Sequence, residues 1–131
     1  MLIEYDISEN GEFVYTTPKG VLTFKDTIQY FIKLTNDNRL KAGAIEIVYF
    51  TQITGFKFTY SEMEEITDYY QLAKSEQKIK ATIFLCETDL FFAMGRMLKV
   101  LHNISNPVHI VSVVRSPEAL EEEIKKINPD R

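Results

Sequence analysis

Short apolar runs and amphipathic stretches of helical length take turns along this chain. Between Lys80 and Asn103 it reads KATIFLC, then ETD, then LFFAMGRMLKVLHN. The run from Ala81 to Cys86 shows no alternation, which suits a strand covered on both faces, as in a parallel sheet. After the polar break, Leu90, Met94, Met97 and Leu101 recur at helical spacing, with Phe91 and Leu98 beside them. This is one βα unit. Ala44 to Phe50 and Val108 to Val114 are two more runs of the same kind, so all three strands are expected to be parallel neighbours or near neighbours in one sheet.

The N-terminal part follows a different period. Leu2 to Ile7 and Glu12 to Thr17 each alternate apolar and polar residues, and Asn10-Gly11 between them predicts an antiparallel hairpin because both residues tolerate positive φ. Pro18 to Val21 breaks the pattern. Thr23 followed by Asp26 reads as a capped helix start, with Phe24, Ile28, Phe31 and Ile32 on the buried face and a stop at Asn36-Asp37-Asn38. Thr51 to Thr59 reads as a loop. Ser61 with Glu64 makes a capping box for a second helix, whose inward stripe is Met63, Ile66, Tyr70 and Ala73. Ser116-Pro117-Glu118 supplies an N-cap oxygen and then a proline where no N–H is needed, and Leu120, Ile124 and Ile127 face inward until Asn128-Pro129 ends the last helix. The predicted order is ββαβαβαβα. That makes an α/β fold with a mostly parallel sheet, its N-terminal hairpin placing the first strand at or near an edge.

Length and charge narrow the class. The 131 residues are expected to form a single domain over residues 1–131, of a size that buries roughly two thirds of its unfolded surface without a disulfide or metal. A formal net charge of −4 leaves no basic surplus to displace phosphate counterions, which argues against a nucleic-acid partner. The one cysteine, Cys86, excludes an intrachain disulfide and reads as a buried thiol at a strand end. The N-terminus is acidic where a secretory leader is basic and then apolar, and no apolar run reaches the length of a membrane span, so a cytoplasmic protein is expected.

The order of elements, the Asn-Gly hairpin, LTNDNRLKAGAIEIVYFTQIT, and MGRMLKVLHN followed by a strand and SPEALEEEI resemble small bacterial proteins of the STAS superfamily, with the sporulation anti-anti-sigma-factor-like fold. The likeness spans nearly the whole chain and rests mostly on fold-determining apolar patterns. It implies a binding or regulatory role without chemistry of its own. It also implies control by phosphorylation of a Ser or Thr at the start of the helix after the third strand, a position that falls on Ser61.

In a parallel α/β sheet, ligands bind beyond the carboxyl ends of the strands. The segments there are Thr51 to Tyr60, Glu87 to Asp89, and Arg115-Ser116. Three helix N-termini meet this edge and offer free N–H groups to an anion, and Arg115 adds charge. Ser61, Thr88 and Ser116 are first of all capping residues by type. Phe56, Phe58 and Tyr60 fall on one side of an extended segment, where they either line a pocket or close the top of the core. Arg96 either reaches a phosphate or carboxylate or runs along the surface to water. The surplus apolar residues of the 89–103 helix, with Phe92, Met94 and Met97 foremost, suggest a partner-binding or self-association face, and Gly95 leaves room there for another backbone. Glu87 and Asp89 lack metal-ligand spacing, His102 and His109 belong to no nucleophile motif, and the five glycines form no phosphate loop. No catalytic residue, metal ligand or cofactor is therefore assigned. The reading is a non-catalytic module that engages a protein partner or small ligand at the carboxyl edge or the 89–103 helix. A small enzyme using the Ser61, Glu87 and Arg115 loops and a self-associating structural protein are the alternatives.

Overall fold

A computed structural model of the chain describes residues 3–75, 79–89, 91–96, 99 and 110–129, and within the helix 60–75 the side chains of 67 and 69–75 fall outside that description. The strands are β1 (Ile3–Ile7), β2 (Phe13–Thr23), β3 (Ala44–Tyr49), β4 (Gln52–Lys57), β5 (Ile79–Leu85) and β6 (Ile110–Val114). The helices are α1 (Phe24–Thr35), α2 (Tyr60–Ser75) and α4 (Pro117–Ile127), with α3 described over 91–96. The strands form one sheet in the order β1-β2-β3-β5-β6, and β4 pairs with β2 off this path. β1 is antiparallel to β2 and lies at the edge; all other pairings are parallel. The three unalternating apolar runs are adjacent and parallel, β3 beside β5 and β5 beside β6, as burial on both faces requires.

Three boundaries differ from the sequence reading. β2 does not stop at Thr17 but runs on through Pro18 to Thr23. Its Phe13–Thr16 part pairs with β3 and its Lys19–Thr23 part with β4, so Pro18 falls in the gap between the two parallel ladders. A proline there removes no bond from either ladder. Gly20, at φ +71°, stands beside the register shift on the β4 side, a backbone bend that glycine supplies without steric cost. The segment from Thr51 to Thr59, read as a loop, holds β4, because the prolonged β2 gives it a partner; the order is ββαββαβαβα.

The third boundary is the start of α2. Thr59 Oγ1 accepts from Glu62 N at 3.1 Å, and the Glu62 carboxylate accepts from Thr59 N at 2.8 Å. The capping box is thus Thr59 with Glu62, and Ser61 with Glu64 lies inside the first turn. The helix α1 starts as expected, with Thr23 Oγ1 accepting from Asp26 N at 3.2 Å. Its inward residues are Tyr30, Phe31 and Leu34, whereas Ile32 is 51% exposed. The hairpin closes over Ser8 to Glu12, Gly11 at φ +75° donating its N–H to Ser8 O at 2.8 Å.

Among the described residues, helices α1, α2 and α3 pack on one face of the sheet and α4 on part of the other. Beneath the first group lie Val14, Tyr30, Phe31, Leu34, Ile66 and Ile79 on one side. Leu22, Val48, Phe50, Met63, Phe84, Cys86 and Phe91 lie on the other. Leu120 of α4 seals the opposite face over Phe13, Ile45, Ile47, Ile83 and Leu85. Among the described residues three polar side chains of the sheet are buried, Thr16, Glu46 and Thr82. Glu46 of β3 is fully buried, accepting from the Tyr30 hydroxyl at one oxygen and from Thr82 Oγ1 at 2.9 Å at the other. Tyr30 also bonds Thr16 Oγ1 at 2.7 Å. A buried polar group is tolerable when it is hydrogen-bonded, which explains how an acid occupies an otherwise apolar strand. Among the described residues no helix is long and apolar enough to cross a membrane.

Candidate binding site at the carboxyl edge of the sheet

The parallel pairing of β5 and β6 brings both chain exits to one edge, with Leu85 opposite Val114. Cys86 N continues the ladder by donating to Val114 O at 2.9 Å. The next residues on each side enter helices. Thr88 Oγ1 accepts from Phe91 N at 3.3 Å and caps α3; Ser116 Oγ accepts from Ala119 N at 3.1 Å and caps α4. Both hydroxyls therefore do what their residue type does at helix starts. Glu87 and Asp89 are exposed and do not pair with each other.

Arg115 ties these two exits together. Its Nη2 donates to Asp89 Oδ1 at 2.6 Å and to the Glu87 carbonyl at 3.4 Å. Its guanidinium carbon stands 4.9 Å from the ring centroid of Phe92, and that of Arg96 stands 5.9 Å from the same ring. Phe92 is half-buried, resting with Met94 against the core beneath α3. One ring with two guanidinium groups is the result. Each such cation–π contact at an exposed site is worth about 0.5–1 kcal/mol. The Arg115–Asp89 pair adds little, since Asp89 is 92% exposed and solvent screens such pairs to roughly 0–1 kcal/mol. Arg115 is held in place but its charge is readily exchanged with another carboxylate.

Three sequence-predicted residues thus converge here: Phe92, Arg96 and Arg115. Met94 packs beside Phe92 on the core, and the remaining described candidates lie elsewhere. Phe56 and Phe58 are half-buried in an aromatic cluster, Phe56 lying 5.5 Å from Phe50, 5.8 Å from Phe58 and 5.4 Å from Phe91 between ring centroids. They close the end of the core. Tyr60 parts from them and is 61% exposed, and Ser61 is exposed in the first turn of α2. Met97 lies outside the described residues, as do Leu90, Leu98, Leu101, His102 and His109.

Of the stripe that the spacing suggested, only Met94 lies among the described residues, and it is half-buried. Phe91 and Gly95 face the sheet, while Phe92 and Met94 flank them and Ala93, Arg96 and Lys99 are exposed. A Cβ on Gly95 would lie 3.1 Å from Val113 Cγ1 and 3.3 Å from Cys86 Sγ. Gly95 thus admits sheet side chains, not a partner's backbone. Cys86 is fully buried, and burial pushes its thiol up to about 12, against nucleophilic use. Among the described residues no three metal-ligating side chains come together. The Arg115–Asp89 link could be found in sequence only by placing both strand exits on one edge.

No family model and no curated protein matches the chain. Among solved structures it is similar to an uncharacterised protein of the DUF3478 family with a SpoIIAA-like fold from Shewanella loihica PV-4. The TM-score is 0.55 at 14% identity, over 92% of this chain and 90% of that one. Identity this low establishes architecture alone: the chain has a SpoIIAA-like fold.

Proposed function

We propose that this protein is a non-catalytic binding module that takes a protein partner through Phe92, Arg96 and Arg115, the partner presenting a carboxylate next to an apolar side chain. The observation that carries this reading is the convergence of two guanidinium groups, from α3 and from the loop after β6, on one half-buried aromatic ring. Aromatic and arginine side chains packed together are the composition of interface hot spots. An incoming carboxylate takes over Arg115 from Asp89, whose exposed pair costs little to break. The resemblance drawn from the sequence supports a binding or regulatory role in the same sense. The small-enzyme reading gains nothing comparable, since Arg115 meets Glu87 through its carbonyl and Thr59, not Ser61, caps α2.

Panning a displayed peptide library against the protein and, in parallel, against an Arg96→Gln/Arg115→Gln double variant tests this. Acid-containing peptides with a flanking apolar residue should be enriched on the first and not on the second. Equal enrichment on both, or none on either, would contradict the proposal.

A further inference from the structure

On the face of the sheet opposite α3, α4 stands beside β2 and β3. Between α4 and β2–β3 runs a groove of about 340 Å³. Its floor is Phe13, Ile47 and Leu120, all but shielded from water. Its open walls are Tyr15, Tyr49 and Ile124. It falls at the lower end of small-molecule pockets, roughly 300–1,000 Å³.

The walls are aromatic and the rim is charged. Tyr15 is 38% exposed although its ring lies nearly parallel to that of Phe13, at 11° and 6.0 Å between centroids. Burial, and then the nearness of Tyr15 and Glu121, raise the pKa of Tyr49, so two phenols and a carboxylate share one mouth. Lys125 follows one helical turn along α4 from Glu121 and also lines the groove, with Asn128 beyond it. Among the described residues neither Glu121 nor Lys125 is engaged in an ion pair. Side chains of opposite charge, one helical turn apart on α4 and neither in an ion pair, thus stand over an aromatic slot.

We infer that the groove binds a small aromatic zwitterion, its ring between Tyr15 and Tyr49, its ammonium at Glu121 and its carboxylate at Lys125. An apolar ligand would leave both charges unused. The groove opens on the other face from Phe92, so this inference stands apart from the partner site.

The aromatic amino acids are the direct probes, and because the chain has no tryptophan, the indole fluorescence of L-tryptophan reports on the ligand alone. Titration of isotope-labelled protein with L-phenylalanine, L-tyrosine and L-tryptophan should give saturable amide shifts at Tyr15, Tyr49 and Glu121 for at least one of them. The best binder should lose roughly two- to fivefold in affinity when either its ammonium or its carboxylate is removed, the size of an exposed ion pair. Glu121→Gln should weaken that amino acid and its decarboxylated amine but spare the des-amino acid; Lys125→Gln should weaken the amino acid and the des-amino acid but spare the amine. Both positions are exposed, so the fold survives either change. The proposal is overturned if none of the three shifts the groove at millimolar concentration, if the uncharged ring compound binds as well, or if both variants weaken all ligands alike.

Discussion

Thr59 and Ser61 each stand three residues before a glutamate, and nothing in the local sequence chooses between the two capping boxes. The choice is made by β4, which delivers the chain to α2 with Thr59 at the cap. Thr59→Ala should therefore cost about 0.5–2 kcal/mol in urea unfolding, while Ser61→Ala should leave stability within experimental scatter; equal losses would place the cap elsewhere. Gly11 combines φ +75° with a site where a Cβ would meet Arg39 O at 2.5 Å, so Gly11→Ala should lose about 1–3 kcal/mol or more, read from the same unfolding curves. Asp37 faces Arg39 at 2.7 Å and accepts from the Tyr5 hydroxyl at 2.9 Å. The hydrogen bonds from Arg39 hold its carboxyl well below the usual aspartate value. The folded value is the lower one. The stabilisation is thus present above the unfolded value of about 3.9 and is lost as pH falls toward the folded value. Asp37→Asn should flatten the acid limb of melting temperature against pH below about pH 4, and salt should shrink the effect because Arg39 is largely exposed.

At the scale of elements, β3, β5 and β6 were legible because strands buried on both faces need unbroken apolar runs. The capped starts of α1 and α4 were legible because their hydroxyls act locally. What escaped depends on partners distant in sequence. Pro18 reads as a strand breaker until β3 and β4 are seen to share β2 between them. Glu46 interrupts an apolar strand, and its place there follows from Tyr30 of α1 and Thr82 of β5, which reach its carboxylate. Tyr30→Phe removes a hydroxyl that serves both Glu46 and Thr16, and should cost about 1–3 kcal/mol. Gly95 was not singled out as a sheet contact because glycine carries no apolar signal, yet it is the close contact with Val113 and Cys86. Leucine there overfills the contact, at about 1–3 kcal/mol. In the folded protein Cys86 should resist maleimide, whereas Gly95→Leu should speed its labelling as α3 lifts; unchanged labelling would mean that α3 does not pack through Gly95.

Across the whole molecule, the sheet separates two surfaces of different character. Parallel pairing of β5 and β6 delivers α3 and the loop before α4 to one edge, and this alone brings Arg96 and Arg115 to the same ring. Residues so far apart in sequence could be singled out one by one, but their meeting is a property of topology. The opposite face carries its aromatic groove beside α4, which among the described residues is the one helix packed there. The partner-binding account at the carboxyl edge is tested most directly by the affinity of a selected acid-containing peptide for the parent protein, Arg96→Gln, Arg115→Gln and the double variant. Each single change should weaken binding by roughly two- to fivefold and the double change by at least the product of the two, with amide shifts confined to α3 and the loop after β6. A double variant that binds the peptide as tightly as the parent protein would contradict the account.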